Sequence, residues 1–439
     1  MSLATGYPGA TAPPARPWKT AILGGFASYM DAATIVASGT AWVLYQDTFH
    51  LGKWSIGALS ALITFSLAVG ALVGGRLGDR YGRKRVFSID LLVFALGLAF
   101  LVFAPSAAFL YVGAVIAGFA MGADIPVSLA LIAEESPPEK RGELIAFSQV
   151  LWIAGAVASV GLAVLVSKLG PLGARILFSH ILIVAIAIWL LRRTLPESRQ
   201  WSKAVETVDD PQAGQSQVHH NRLADLLPFL APLVATALFY TFNNVSANTL
   251  GQFSTFLFVD VAHVSVTTAT LVGLITLPIV LIANVIFMRV VDGRFRMPVF
   301  VFGTSLLVLG FIVPIVLGFR FETLVIASVC SAIGGGLAGE AIYKVWSQEL
   351  FPTLVRSSAQ GSTIFVARAA TAAFGFVTPA IALAGPRVLM AILVALNLAA
   401  GVMGYFWVRR LPKVVDVEDA KGPVVPGEVQ LEQIPKAAH

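Results

Sequence analysis

Residues 74–85 read GGRLGDRYGRKR, five cationic side chains and one carboxylate in twelve residues, set between two apolar runs. Positive charge at one membrane face accounts for some of the cations. It does not account for Asp79, nor for the glycines at 75, 78 and 82, which let chain segments approach closely. A carboxylate held among arginines at a helix junction can pair with a helix end in one conformation and release it in another. The strip therefore reads as a latch as well as a topology signal.

The surrounding chain has 439 residues, 57% apolar and only 12% charged, which excludes an ordinary soluble globule. About 20 apolar residues span a bilayer core as a helix, and twelve such stretches are expected, over 20–44, 56–78, 86–104, 107–133, 144–167, 171–194, 226–250, 265–290, 297–318, 321–348, 357–384 and 386–408. Near-continuous Leu, Ala, Val and Phe favour helices over the alternating strands of a barrel. No cleaved signal is expected in the Pro- and Gly-rich start, so the first apolar run is the first helix. A single cysteine, Cys330, excludes a disulfide scaffold.

Orientation follows from the cations. With the N-terminus in the cytoplasm, inner segments hold 23 of the 30 Lys and Arg, among them the opening strip, Lys140, Arg141, Arg192, Arg193, Arg289, Arg294, Arg296 and Arg356. Both termini are expected in the cytoplasm. The net charge of +6 is then a matter of topology, and no basic domain remains for nucleic acid.

The strip has a counterpart. Arg76, Asp79 and Arg83 are spaced as Arg289, Asp292 and Arg296, an offset of 213. Glu134, Pro137 and Arg141 recur as Glu349, Pro352 and Arg356, an offset of 215. RRTLP ending at Pro196 and RRLP ending at Pro412 repeat at 216. One common offset predicts an all-α membrane protein of two pseudo-symmetric six-helix bundles. The expected division is a tail 1–19, bundles 20–194 and 226–410, a linker 195–225 containing VDDPQAGQSQVHHN, and a tail 411–439, with tails and linker flexible and solvated.

On these motifs the chain resembles the major facilitator superfamily, and within it the sugar-transporter-like, metabolite:proton symporter branch, from about residue 20 to 410. GGRLGDRYGRKR is similar to the superfamily's loop motif; EESPPEKRG, PESRQW and QELFPTLVR are similar to the branch's signatures after helices 4, 6 and 10. The resemblance implies a carrier with a cavity between two bundles, rocking between access states. It implies a gating role for Asp79, Arg83 and Arg76, extended by the repeat to Glu134, Arg141, Arg289, Asp292, Arg296, Glu349 and Arg356.

Ionisable residues inside the spans are costly and default to function. Asp31 in YMDAATIVASG, Asp124 in GADIP, Glu340 and Lys344 in GEAIYKVWSQE, and Arg368 qualify, with His180 weaker. Asp31 and Asp124 are the candidates for proton coupling, against a structural ion pair, because desolvation disfavours a buried carboxylate's charge. Glu340 and Lys344 share a helix face and either neutralise each other or meet substrate. Arg368 either neutralises Asp31 or Asp124 or holds a substrate carboxylate. NNVSANTLGQFST places Asn243, Asn244, Asn248 and Gln252 on one helix, amides that suit a hydroxyl-rich solute or, alternatively, join helices. The branch's helix 4 arginine falls near Ala114 and its sugar-stacking tryptophan at Lys344, so the resemblance leaves both a sugar or polyol and an organic acid open as substrate.

No catalytic triad, metal cluster or nucleotide loop is legible: GFAMGADIP and GGGLAGE lie inside spans and read as packing glycines. The expectation is a monomeric secondary transporter of the inner membrane, not an enzyme, with no cofactor. Its partners are a small polar solute, protons and the bilayer, with uptake of a sugar or polyol favoured, an organic acid:proton symporter as alternative, and a drug exporter behind both.

Overall fold

The computed structural model describes residues 17–209 and 223–414; residues 1–16 and 415–439 of the expected end tails and 210–222 of the linker lie outside the described residues. Among the described residues, twelve long helices form two bundles. The first comprises α1 (Pro17–Leu44), α2 (Lys53–Tyr81), α3 (Arg83–Val102), α4 (Ala107–Glu134), α5 (Arg141–Val166) and α6 (Pro171–Arg192). The second comprises α7 (Leu230–Phe256), α8 (Val266–Val290), α9 (Arg296–Leu317), α10 (Phe321–Ala338, continued by Glu340–Glu349), α11 (Arg356–Ala384) and α12 (Pro386–Val402). Among the described residues, eleven segments are long and apolar enough to cross a bilayer. The first turns of α11 carry Arg356, Ser357, Ser358, Gln360 and Ser362.

Large apolar side chains face outward, Leu165 at 78% and Val316 at 71% exposure among them, as a lipid solvent permits. Small residues bring helices together inside. The two bundles meet where α2 crosses α11 and where α5 crosses α8. At the first crossing a Cβ on Gly75 would lie 2.2 Å from the Ser357 carbonyl oxygen, and one on Gly361 would lie 2.1 Å from that of Ala71. Only glycine permits that approach.

Two departures from the expected spans have physical causes. The tenth span is broken at Gly339, where φ −91° and ψ −134° leave the helical region, so a half-helix begins at Glu340. The run GGGLAGE, expected only to pack helices, carries this break because four glycines hold a helix poorly. The linker, expected to be solvated, contains a helix over Arg199–Asp209, and the Trp201 indole N–H donates to the Asp79 carbonyl at 2.8 Å.

Candidate functional site

Asp79, in the last turn of α2, accepts the backbone N–H groups of Ser357 (3.2 Å) and Ser358 (2.7 Å) at the start of α11. An anion there meets unpaired amides and the positive end of the helix dipole. Arg83 binds the same carboxylate, reaches Glu134 at 2.8 Å, and donates to the Thr353 carbonyl at 2.6 Å. Glu134 also lies 3.5 Å from Arg356. Asp79, Arg83 and Glu134 are wholly enclosed, so one charged network of the first bundle grips the second.

The repeat predicts a mirror of this grip, and one is present. Asp292 accepts the N–H groups of Gly142 (2.8 Å) and Glu143 (2.7 Å) at the start of α5. Arg296 pairs with both oxygens of Glu349 at 2.8 Å, as Arg83 pairs with Glu134. Arg289 lies 3.6 Å from Glu143 and Lys413 lies 3.1 Å from Glu349. Burial pushes the Asp292 carboxyl up from its ordinary value, and the two amides and Arg296 offset that cost only in part. Arg141 opens α5 as Arg356 opens α11. Arg76 stands apart: one of its guanidinium nitrogens is buried and has no hydrogen-bond partner among the described residues.

Near the middle of the helices, Asp31 of α1 and Arg368 of α11 approach to 3.7 Å, both buried. Of the two aspartates open to Arg368, Asp31 is the one it meets. An arginine from the second bundle thus faces the aspartate of α1. The Trp152 indole N–H donates to the Asp31 carboxylate at 2.8 Å, and the other carboxylate oxygen has no partner among the described residues. Lys344, in the half-helix of α10, also bridges the bundles, donating to Gln149 at 2.7 Å and Ser28 at 3.2 Å, with Glu340 at 3.5 Å. Tyr240 and Tyr343 stack at 3.8 Å with rings nearly parallel, and the Tyr343 hydroxyl meets Thr363 at 2.6 Å. Tyr240 lies within electrostatic reach of Glu340, Arg368 and Asp31, so these groups form one polar centre between the bundles.

The α7 amides divide. Asn244 is held by Thr371 of α11 (2.9 Å) and by Asn248 one turn on (3.2 Å), which is the helix-joining reading. Ser246 is tied to Asn397 of α12 at 2.6 Å. Asn243 is buried on the same helix, and the side chain of Gln252 lies outside the described residues.

Asp124 is placed elsewhere. Its carboxylate pairs at 2.8 and 2.9 Å with Arg192 of α6, and all its hydrogen-bond partners belong to the first bundle. Arg192, expected among the inner-face cations at the end of the sixth span, is fully buried, because its guanidinium also lies on the Phe87 ring at 3.6 Å and donates to the Leu23 carbonyl. Asp90 of α3 is buried beside this pair. His180 is bonded through Nδ1 to the Leu177 carbonyl. Sequence reasoning missed Trp152, Gln149, Tyr240 and Tyr343, whose types are common in any apolar span. It also missed Asp90, for which the signal was present: a carboxylate inside the third span, seven residues after Arg83.

Comparison with known proteins agrees with this architecture. The model of the Major Facilitator Superfamily matches residues 21–375. The chain is 34% identical over 376 residues to the minor myo-inositol transporter IolF of Bacillus subtilis (strain 168), covering 83% of this chain and 84% of that protein. It is 27% identical over 192 residues to the arabinose-proton symporter of the same organism, covering 42% and 41%. Among solved structures, the proton:xylose symporter XylE bound to 6-bromo-6-deoxy-D-glucose superposes with a TM-score of 0.75 at 16% identity, covering 90% of this chain and 96% of that one. The paired bundles, the doubled latch and these matches lead to one conclusion: the chain belongs to the major facilitator superfamily and is a multi-pass membrane transporter, not an enzyme.

Proposed function

We propose that this protein is a proton-coupled importer of a small polyhydroxylated solute, a cyclic polyol or sugar, working by alternating access. The observation that carries the reading is the Asp31–Arg368 pair, a buried carboxylate and guanidinium contributed by opposite bundles at 3.7 Å. A proton on Asp31 cancels the attraction that holds Arg368, so protonation and bundle position are linked. Solute hydroxyls are bound beside the pair by Glu340, Lys344 and Arg368, with the Tyr240–Tyr343 stack as an apolar wall and Asn243 of α7 as a further polar contact. The name of the myo-inositol transporter supports a polyol as the solute class.

The division into bundles 20–194 and 226–410, joined by the linker 195–225, is part of the same reading. The face carrying the latches is cytoplasmic, the membrane is the inner membrane, and the protein acts as a monomer. An organic acid is disfavoured as substrate because Lys344 and Arg368 already face Glu340 and Asp31. The test is a thermal-shift panel of polyols, sugars, carboxylates and cationic drugs on purified protein, since a ligand of the native state raises its stability. Stabilisation by a cyclic polyol or sugar is expected; stabilisation by carboxylates alone overturns the substrate assignment.

A further inference from the structure

We propose that Asp90, Asp124 and Arg192 form a second proton-binding site, enclosed within the first bundle, in which Asp90 carries the proton. The site lies apart from the Asp31–Arg368 pair and stands whether or not Asp31 couples transport.

Two carboxylates here share one cation. Arg192 is committed: it pairs with both oxygens of Asp124, donates to the Leu23 and Phe87 carbonyls and rests on the Phe87 ring. Asp124 is further bound by the Ser128 hydroxyl. Asp90 is 6% exposed, and neither carboxylate oxygen has a partner among the described residues. With Asp124 it lines a narrow crevice whose other walls are Ala27 and Met30 of α1, Leu91 and Phe94 of α3, and Ala120 and Met121 of α4. The charged groups facing Asp90 are therefore Asp124 from α4 and Arg192 from α6; α1 presents none. An ionised Asp90 would leave one negative charge uncompensated in an apolar wall, and such a group is neutralised instead. The crevice is too tight for a water molecule, so it excludes a hydrated metal cation and selects a proton.

The site is joined to the first latch. Arg83, Phe87 and Asp90 follow one another at i, i+4 and i+7 on α3 and so share a face. Five residues beyond Arg192, Glu197 accepts the Lys84 N–H at 3.0 Å at the start of α3. Loss of the Asp90 proton sets a second charge against Asp124 in competition for Arg192, drawing α6 toward α3 and weakening the α4–α6 pair.

Infrared difference spectroscopy on the purified, detergent-solubilised protein tests this. The wild type shows a protonated-carboxyl C=O band at neutral pH; Asp90→Asn loses it and Asp31→Asn keeps it. A band unchanged in Asp90→Asn, or no such band in the wild type, overturns the proposal. Melting temperature against pH is the second readout. Asn is the isostere of the neutral acid, so Asp90→Asn melts with the wild type in acid and above it in alkali. A variant that melts below the wild type at every pH, or fails to fold, shows that Asp90 is ionised and paired, against the proposal. Stabilisation by sodium that Asp90→Asn abolishes replaces the proton with a cation and also overturns it.

Discussion

The Asp79 carboxylate accepts the Ser358 backbone N–H at 2.7 Å, so the end of α2 in one bundle caps the beginning of α11 in the other. Charge-assisted hydrogen bonds of this kind contribute about 1.5–3 kcal/mol each when formed. Asp79→Asn keeps the shape and removes the charge. It is expected to shift the latched–unlatched equilibrium by roughly ten- to a hundredfold toward the unlatched state. Thiol labelling of a cysteine placed at Ser362, with Cys330 replaced, reads that shift as faster modification from the latch face.

The mirrored latch is the wetter of the two. The Arg296 and Glu349 side chains are 13% and 14% exposed, whereas Arg83 and Glu134 are fully enclosed. Asp292→Asn in the same labelling assay is therefore expected to give a smaller shift than Asp79→Asn. Equal effects would show that burial does not set the strength of the two grips.

Backbone proximity sets the closed state as firmly as charge does. With carbonyl oxygens 2.1–2.2 Å from where a Cβ would stand, Gly361→Val and Gly75→Val cannot close the α2–α11 crossing. Both variants are expected to fold and insert but to lose transport, with the latch-face cysteine permanently reactive. Wild-type transport in either would contradict the crossing.

Lys344 holds Gln149, Ser28 and Glu340 across the bundle interface. If it also meets solute, Lys344→Ala raises the solute Kd about tenfold to a hundredfold, the loss of one or two hydrogen bonds to a charged group. A fall in melting temperature with unchanged solute affinity would make it a strut between bundles and no part of the binding site.

The architecture was legible in the sequence because it is written in two redundant signals, apolar run length and three motifs repeated at offsets of 213 to 216. The repeat gave Asp292 the same role as Asp79, while the helix starts they cap, those of α5 and α11, come from the structure. The polar centre was only half legible. Asp31 and Arg368 stand out as charges in apolar spans, but which carboxylate the arginine meets is a matter of helix rotation, which run length does not encode. Arg192 was misplaced for a related reason: an arginine at the end of a span reads as a loop cation until a buried Asp124 on another helix is known to face it. The break at Gly339 was hidden because a glycine run supports close packing and helix interruption equally well.

The central claim, that Asp31 links the proton to the solute, is tested most directly by accumulation of a cyclic polyol in proteoliposomes under an imposed pH gradient. The account predicts that the wild type accumulates the solute against its gradient, and that Asp31→Asn cannot while still exchanging labelled for unlabelled solute. Gradient-driven accumulation by Asp31→Asn at the wild-type level would contradict it.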